Sequence, residues 1–142
     1  MTSTQSALAP RALAALRIIA GLLFLAHGLV KLWGFPEGAL PGAQPLLSLF
    51  GVGAVLELVG GALLVLGLFT KPTAFILSGE MAVAYFMFHA PSSPYPAVNG
   101  GDAAILFAFI FLYLSTSGPG AWSLDGALKG EPAKISTKPI KA

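Results

Sequence analysis

The sequence predicts an all-α membrane protein, a bundle of four transmembrane helices with both chain ends on the cytoplasmic side. Three observations carry that prediction. Hydrophobic residues fill 56% of the 142 positions and charged residues only 10%, against about 25% charged in an ordinary soluble domain. That is too little charge to cover a water-soluble globule. The apolar residues fall into four runs separated by loops rich in Gly and Pro, the punctuation expected between helices. With four crossings, Arg11, Lys71, Lys129, Lys134, Lys138 and Lys141 share one side, while loops 34–45 and 91–98 contain no Lys or Arg. The positive-inside bias then puts both termini in the cytoplasm.

A net charge of +2 gives no footprint for nucleic acid, and the lack of Cys excludes disulfide, thiolate–metal and iron–sulfur chemistry within the chain. The expected membrane domain is 11–128. Residues 1–10 are expected to be disordered. The first helix, 11–33, is apolar except for Arg17, His27 and Lys31. Its length, the charge within it and the missing small-residue cleavage site argue against a signal peptide.

Helix 46–69 would extend about 36 Å, enough for a hydrocarbon core of roughly 30 Å with tilt; its one charge is Glu57. Thr70-Lys71-Pro72 is a tight turn, with Pro72 suited to the first turn of the third helix, 73–90. That helix carries Glu80 near its start and His89 at its end. Asn99 is expected to cap the fourth helix, 102–116, with Asp102 at the positive end of its dipole. This helix is short, about 22 Å, so the Asn99-Gly100-Gly101 turn is expected below the headgroups. Residues 121–128 read as an interfacial turn with Trp122 at headgroup level, and 129–142 as a cytoplasmic basic tail.

Each charge inside an apolar span costs at least about 2.5 kcal/mol, so such groups pair and face the bundle interior. The residues Arg17, His27, Lys31, Glu57, Glu80, His89 and Asp102 define the expected polar intramembrane site. Arg17 and Glu80 come out about 9 and 10 Å from the cytoplasmic ends of their helices, which predicts an Arg17–Glu80 ion pair. Lys31 with Asp102, and His27 with Glu57, are the other expected pairs. Glu80 and His89 lie about 180° apart on an ideal helix, so they share a site only if the third helix kinks. Gly53, Gly60 and Gly61 lie on one face of the second helix and are expected to admit a neighbouring backbone.

The competing reading is purely structural: an ion pair that fixes helix packing, and histidines that sit satisfied at the interface. Axial haem ligation by His27 and His89 has no second supporting feature. The residues indicate no metal site, and they assign no catalytic group.

From Arg17 to Asp125 the chain resembles the DoxX family of small four-helix bacterial membrane proteins, including the DoxD-like subunits. The resemblance rests on Arg17 and Gly28-Leu29-Val30-Lys31, on Glu57-Leu58-Val59-Gly60-Gly61, and on Met81 to Phe86 through His89. Asn99-Gly100-Gly101-Asp102 and Gly118-Pro119-Gly120-Ala121-Trp122-Ser123-Leu124-Asp125 complete it. Asp102 stands where the family usually has the longer glutamate. The resemblance implies the bacterial cytoplasmic membrane and a membrane subunit of a quinone-linked redox complex. Its partners would be redox proteins or further copies of the chain. The cofactor implied is a quinone, with His27 and Lys31 as donors to it and Glu57 and Asp102 as proton relays; the binding set is then His27, Lys31 and Glu57. Two alternatives stand beside it: a non-catalytic scaffold that docks partner proteins, and a small-solute carrier. The missing internal repeat weighs against the carrier.

Overall fold

The computed structural model describes residues 3–130, and it is all-helical, with no strand among the described residues. The helices are α1 (Ser3–Trp33), α2 (Leu49–Leu66), α3 (Thr70–Ala84), α4 (Pro96–Asn99), α5 (Asp102–Ser117) and α6 (Leu124–Leu128). A π-helical turn, Tyr85–His89, continues α3. Leu8–Trp33 of α1 and Leu49–Leu66 are long and apolar enough to cross a membrane; α5 is apolar but shorter. The basic tail expected over 129–142 falls outside the described residues except for Lys129 and Gly130.

Four boundaries differ from expectation, and one is the start of the third helix: Thr70-Lys71-Pro72, expected as a turn, is its first turn, capped by the Asp125 carboxylate. Residues 3–10 are helical, so α1 starts well before Arg11. Ala7, Leu8 and Ala9 are strong helix formers, and the Pro10 carbonyl is engaged by Ala121 N–H at 2.9 Å. The second helix starts later, at Leu49, because the Ser48 hydroxyl accepts from Gly51 N–H at 3.0 Å and caps it. It stops at Leu66, where Gly67 takes φ +66°, a left-handed conformation that closes helix ends and suits glycine.

Neighbouring helices run antiparallel. Along the α1–α2 seam the backbones nearly touch: a Cβ added at Gly28 would lie 2.7 Å from Leu58 N, and one at Gly61 would lie 2.6 Å from Leu25 N. Gly60 instead receives the Leu77 side chain of α3, and Gly53 faces Glu80. The three glycines thus serve two neighbours. On the other flank the Ser78 hydroxyl donates to Ala108 O at 2.8 Å, tying α3 to α5. The core between them is Phe24, Leu64, Leu77, Phe111 and Leu114, all at most 1% exposed. Phe24 meets Phe111 edge-on, with ring centroids 4.7 Å apart.

At one end of the molecule the 118–125 segment binds the start of α1 and the α2–α3 turn. Arg17, 0% exposed, donates to the carbonyls of Leu64 at 3.0 Å, Ala121 at 3.3 Å and Trp122 at 2.9 Å. The Asp125 carboxylate accepts from Phe69 and Thr70 N–H, each at 2.8 Å, and so caps α3 from a distance. At the other end, loop 34–48 is pinned where Gln44 N–H donates to Lys31 O at 2.7 Å.

Candidate functional site

A cavity of about 650 Å³ opens between α1, α2, α3 and the start of α5, at the end that carries loops 34–48 and 90–101. That is the size of a small-molecule pocket. Two helix faces supply most of its chemistry. On α1, Phe24, His27 and Lys31 follow at i, i+3 and i+7; on α2, Phe50, Gly53 and Glu57 repeat the spacing. Residues so spaced share one face of an α-helix. The cavity is therefore walled by rings and floored by ionisable groups.

Lys31 Nζ donates to Glu57 Oε1 at 2.6 Å, the ion pair of the pocket. The Lys31 ammonium also lies 5.9 Å from the centre of the Phe50 ring, a distance at which a ring face attracts a cation. Glu57 is almost wholly buried, yet its Oε2 has no hydrogen-bond partner in the protein, and the same holds for Glu80 Oε2. Glu80 reaches the pocket because Gly53 offers no side chain: a Cβ there would sit 3.1 Å from Glu80 Oε1.

The expected Arg17–Glu80 pair is not formed. The expected depth of Arg17 counts from Arg11, but α1 starts at Ser3, and Arg17 lies level with the end of α2. Glu80 lies ten residues along α3 from Thr70, about 15 Å away. The Lys31–Asp102 and His27–Glu57 pairs are likewise replaced by Lys31–Glu57. Asp102 is exposed at the start of α5 and does not line the cavity; His27 lines it from an exposed position.

His89 and Glu80 do share the cavity, and the π-helical turn is the reason. Ala90 N–H bonds back five residues to Tyr85 O at 2.9 Å. That wider winding turns the end of the helix less per residue than an α-helix does. It brings Phe88 against Phe50, with centroids 4.6 Å apart, and His89 Nδ1 to 3.0 Å from Asn99 O. Asn99 does not cap α5. Its Oδ1 accepts from Gly101 N–H at 2.7 Å and its Nδ2 donates to Ser93 O at 2.8 Å, so it braces the loop instead.

Five of the seven expected site residues, His27, Lys31, Glu57, Glu80 and His89, therefore line one cavity, while Arg17 and Asp102 lie elsewhere. The aromatic wall of Phe24, Phe50 and Phe88 was not anticipated. The repeated i, i+3, i+7 spacing of a Phe with the polar residues was the available clue.

The sequence model of the DoxX family matches residues 12–90. A Haemophilus influenzae protein, described only as uncharacterized, is 44% identical over 82% of the chain and 90% of its own length. The uncharacterized membrane protein Rv3486 of Mycobacterium tuberculosis is 31% identical over 84% of the chain and 82% of its own length. The inner membrane protein YqjF of Escherichia coli is 29% identical over 79% and 88%. No solved structure matches the chain.

Proposed function

The chain belongs to the DoxX family of membrane proteins, and from that premise we propose that it holds a quinone-type ring as the membrane subunit of a redox assembly. The observation that carries this reading is the Lys31–Glu57 pair on the wall of a ring-lined cavity of about 650 Å³. A quinone needs a flat apolar slot, a donor for its carbonyl oxygen and groups that exchange protons beside it. Phe24, Phe50 and Phe88 provide the slot, Lys31 and His27 the donors, and Glu57 and Glu80 the proton carriers. Glu80 takes the relay role that the sequence suggested for Asp102.

The same reading gives the protein four crossings of the bacterial cytoplasmic membrane, with both termini in the cytoplasm. Large apolar side chains on the outer faces of the shorter helices support it: Phe75, Phe86, Leu106 and Phe109 are more than half exposed, as residues facing acyl chains would be. The Lys71 stem lies beside Gly118, so that basic residue sits at the same end as Arg17. Loop 34–48 lies at the opposite end, with Leu40 and Leu47 outward, suited to headgroup depth.

The test is to purify the full-length protein from its native membrane in mild detergent, extract it with organic solvent and identify bound quinone by mass spectrometry. Quinone is expected with the wild type and much less with Glu57→Gln. No quinone with either protein, and no binding of added quinone, removes this reading.

A further inference from the structure

A residue that lines the cavity and is also exposed marks an opening, and such residues lie on the sides of the bundle. Leu40 and Pro41 from one loop and Gly100 from the other line the outer end. The inner end is shut on both flanks. Between α2 and α3 the Leu77 side chain packs on Gly60, and between α1 and α5 the Phe24 and Phe107 rings meet at 5.2 Å. Beyond those contacts two mouths remain. Between α2 and α3 the cavity is lined by Val52, Leu56, Ile76 and Val83, all exposed, and Val52, Ile76 and Val83 by half or more. Val52 and Leu56 are spaced i, i+4, and Ile76 and Val83 i, i+7, so each pair forms a strip along its helix. Glu80 shares the α3 strip but is turned to Gly53 of α2, which leaves the lip of this mouth apolar. The mouth between α1 and α5 is edged by His27 and Ala103, both exposed.

The two mouths differ in what they can hold. An imidazole at the lip keeps a polar edge that an alkyl chain cannot satisfy, and covering that edge without a partner costs free energy. Four aliphatic side chains set no such cost, and a chain of CH2 groups between them stays in apolar surroundings from the cavity out to the acyl chains. On the reading of the pocket as a quinone-type site within the membrane, we propose that its ligand is a long-tailed amphiphile that enters sideways from the bilayer between α2 and α3. Its ring passes into the cavity, and its tail comes to lie between Val52 and Leu56 on one side and Ile76 and Val83 on the other. These four residues then set the preference for the tail and leave the ring to the cavity. Bulk added at the lip excludes the tail, whereas a tail-less ring needs only the space within.

The experiment uses the full-length protein in lipid nanodiscs. A benzoquinone whose alkyl tail carries a diazirine is photocrosslinked to the wild type, and the adducts are mapped by mass spectrometry with and without excess decyl-substituted benzoquinone as competitor. Adducts on the Val52–Leu56 and Ile76–Val83 strips that the competitor removes support the proposal. Calorimetry then compares the decyl compound with the same ring lacking a tail, the weaker of the two being read by competition. Val52→Trp/Val83→Trp is expected to weaken the decyl compound about tenfold and the bare ring by less than about twofold. Leu106→Trp, exposed on α5 and outside the cavity lining, is expected to change neither. Melting in the same nanodiscs establishes that each variant is folded, and the wild-type map stands without them. Competitor-sensitive adducts beside His27 or Ala103 instead overturn the side entry, as does a double variant that binds both compounds unchanged or loses both alike; the quinone-type site survives either result. No competitor-sensitive adduct and no binding of either compound remove the proposal and the reading beneath it together.

Discussion

Lys31 Nζ and Glu57 Oε1 lie 2.6 Å apart across the α1–α2 seam, joining two helices whose backbones are already in near contact at Gly28. Removing one partner of a buried pair leaves the other uncompensated, which costs about 3 kcal/mol or more. Lys31→Met is therefore expected to destabilise the folded protein by about that much, and the Lys31→Met/Glu57→Leu double substitution by clearly less than the two single changes summed. A double-mutant cycle on unfolding in detergent measures this coupling; strict additivity would show that the pair contributes nothing.

The glycines make a second, graded prediction. A Cβ at Gly28 meets α2 backbone at under 3 Å, whereas one at Gly79 meets nothing within 4 Å. Gly28→Ala must push α1 from α2 and is expected to cost about 1–3 kcal/mol. Gly79→Ala, in the interior of α3, is expected to stabilise by up to about 1 kcal/mol. Thermal melts of the two variants should move in opposite directions.

A third prediction concerns Asp125, outside the apolar spans. Burial works against its charge, but the hydrogen bonds from Thr70 and Phe69 N–H, with Lys129 nearby, outweigh that and hold its carboxyl below the usual carboxylate range. A carboxyl whose folded value is lowered stabilises the fold above its unfolded value, about 3.9, and that stabilisation is lost as pH falls through the lower folded value. Asp125→Ala is expected to cost about 1 kcal/mol at pH 7, as loss of a helix cap does, with the difference from wild type shrinking as pH falls below about 4. A difference that stays constant down to pH 2 would contradict the capping role.

The topology yields the fourth. The sequence has no cysteine, so single cysteines can be read without background. With four crossings, Ser92→Cys should react with a membrane-impermeant maleimide in intact spheroplasts, and Lys71→Cys only after the membrane is opened. Labelling of Lys71→Cys from outside would reverse or remove the proposed arrangement.

What the sequence revealed and what it hid follow from the kind of partner each group has. The helices were legible because apolar runs and Gly–Pro loops announce them, and the polar residues were recognisable as misfits in those runs. Partners were harder. Arg17 looked for a carboxylate, but it binds the carbonyls of Leu64, Ala121 and Trp122, and main-chain atoms carry no residue-type signature. Asp125 is hidden in the same way, since its partners are the N–H groups of Phe69 and Thr70. Even so, Arg17 and the Gly118–Asp125 stretch, two separate marks of the family resemblance, prove to be two halves of one joint. The Lys31–Glu57 pair was missed because depth along a helix depends on where the helix starts, and rotation about its axis depends on its neighbours.

The winding of Tyr85–His89 has a consequence for how the chain tolerates change in length. Five residues there span one turn where an α-helix would use fewer, so the segment behaves as though it holds a spare residue. Deleting Met87 alone would let the ordinary winding resume, swing the imidazole of the last position away from the cavity and unseat the ring that leans on Phe50. The upper rim of the pocket is thus set by register as much as by residue identity, and a shortened chain with every ionisable group intact would still lose it.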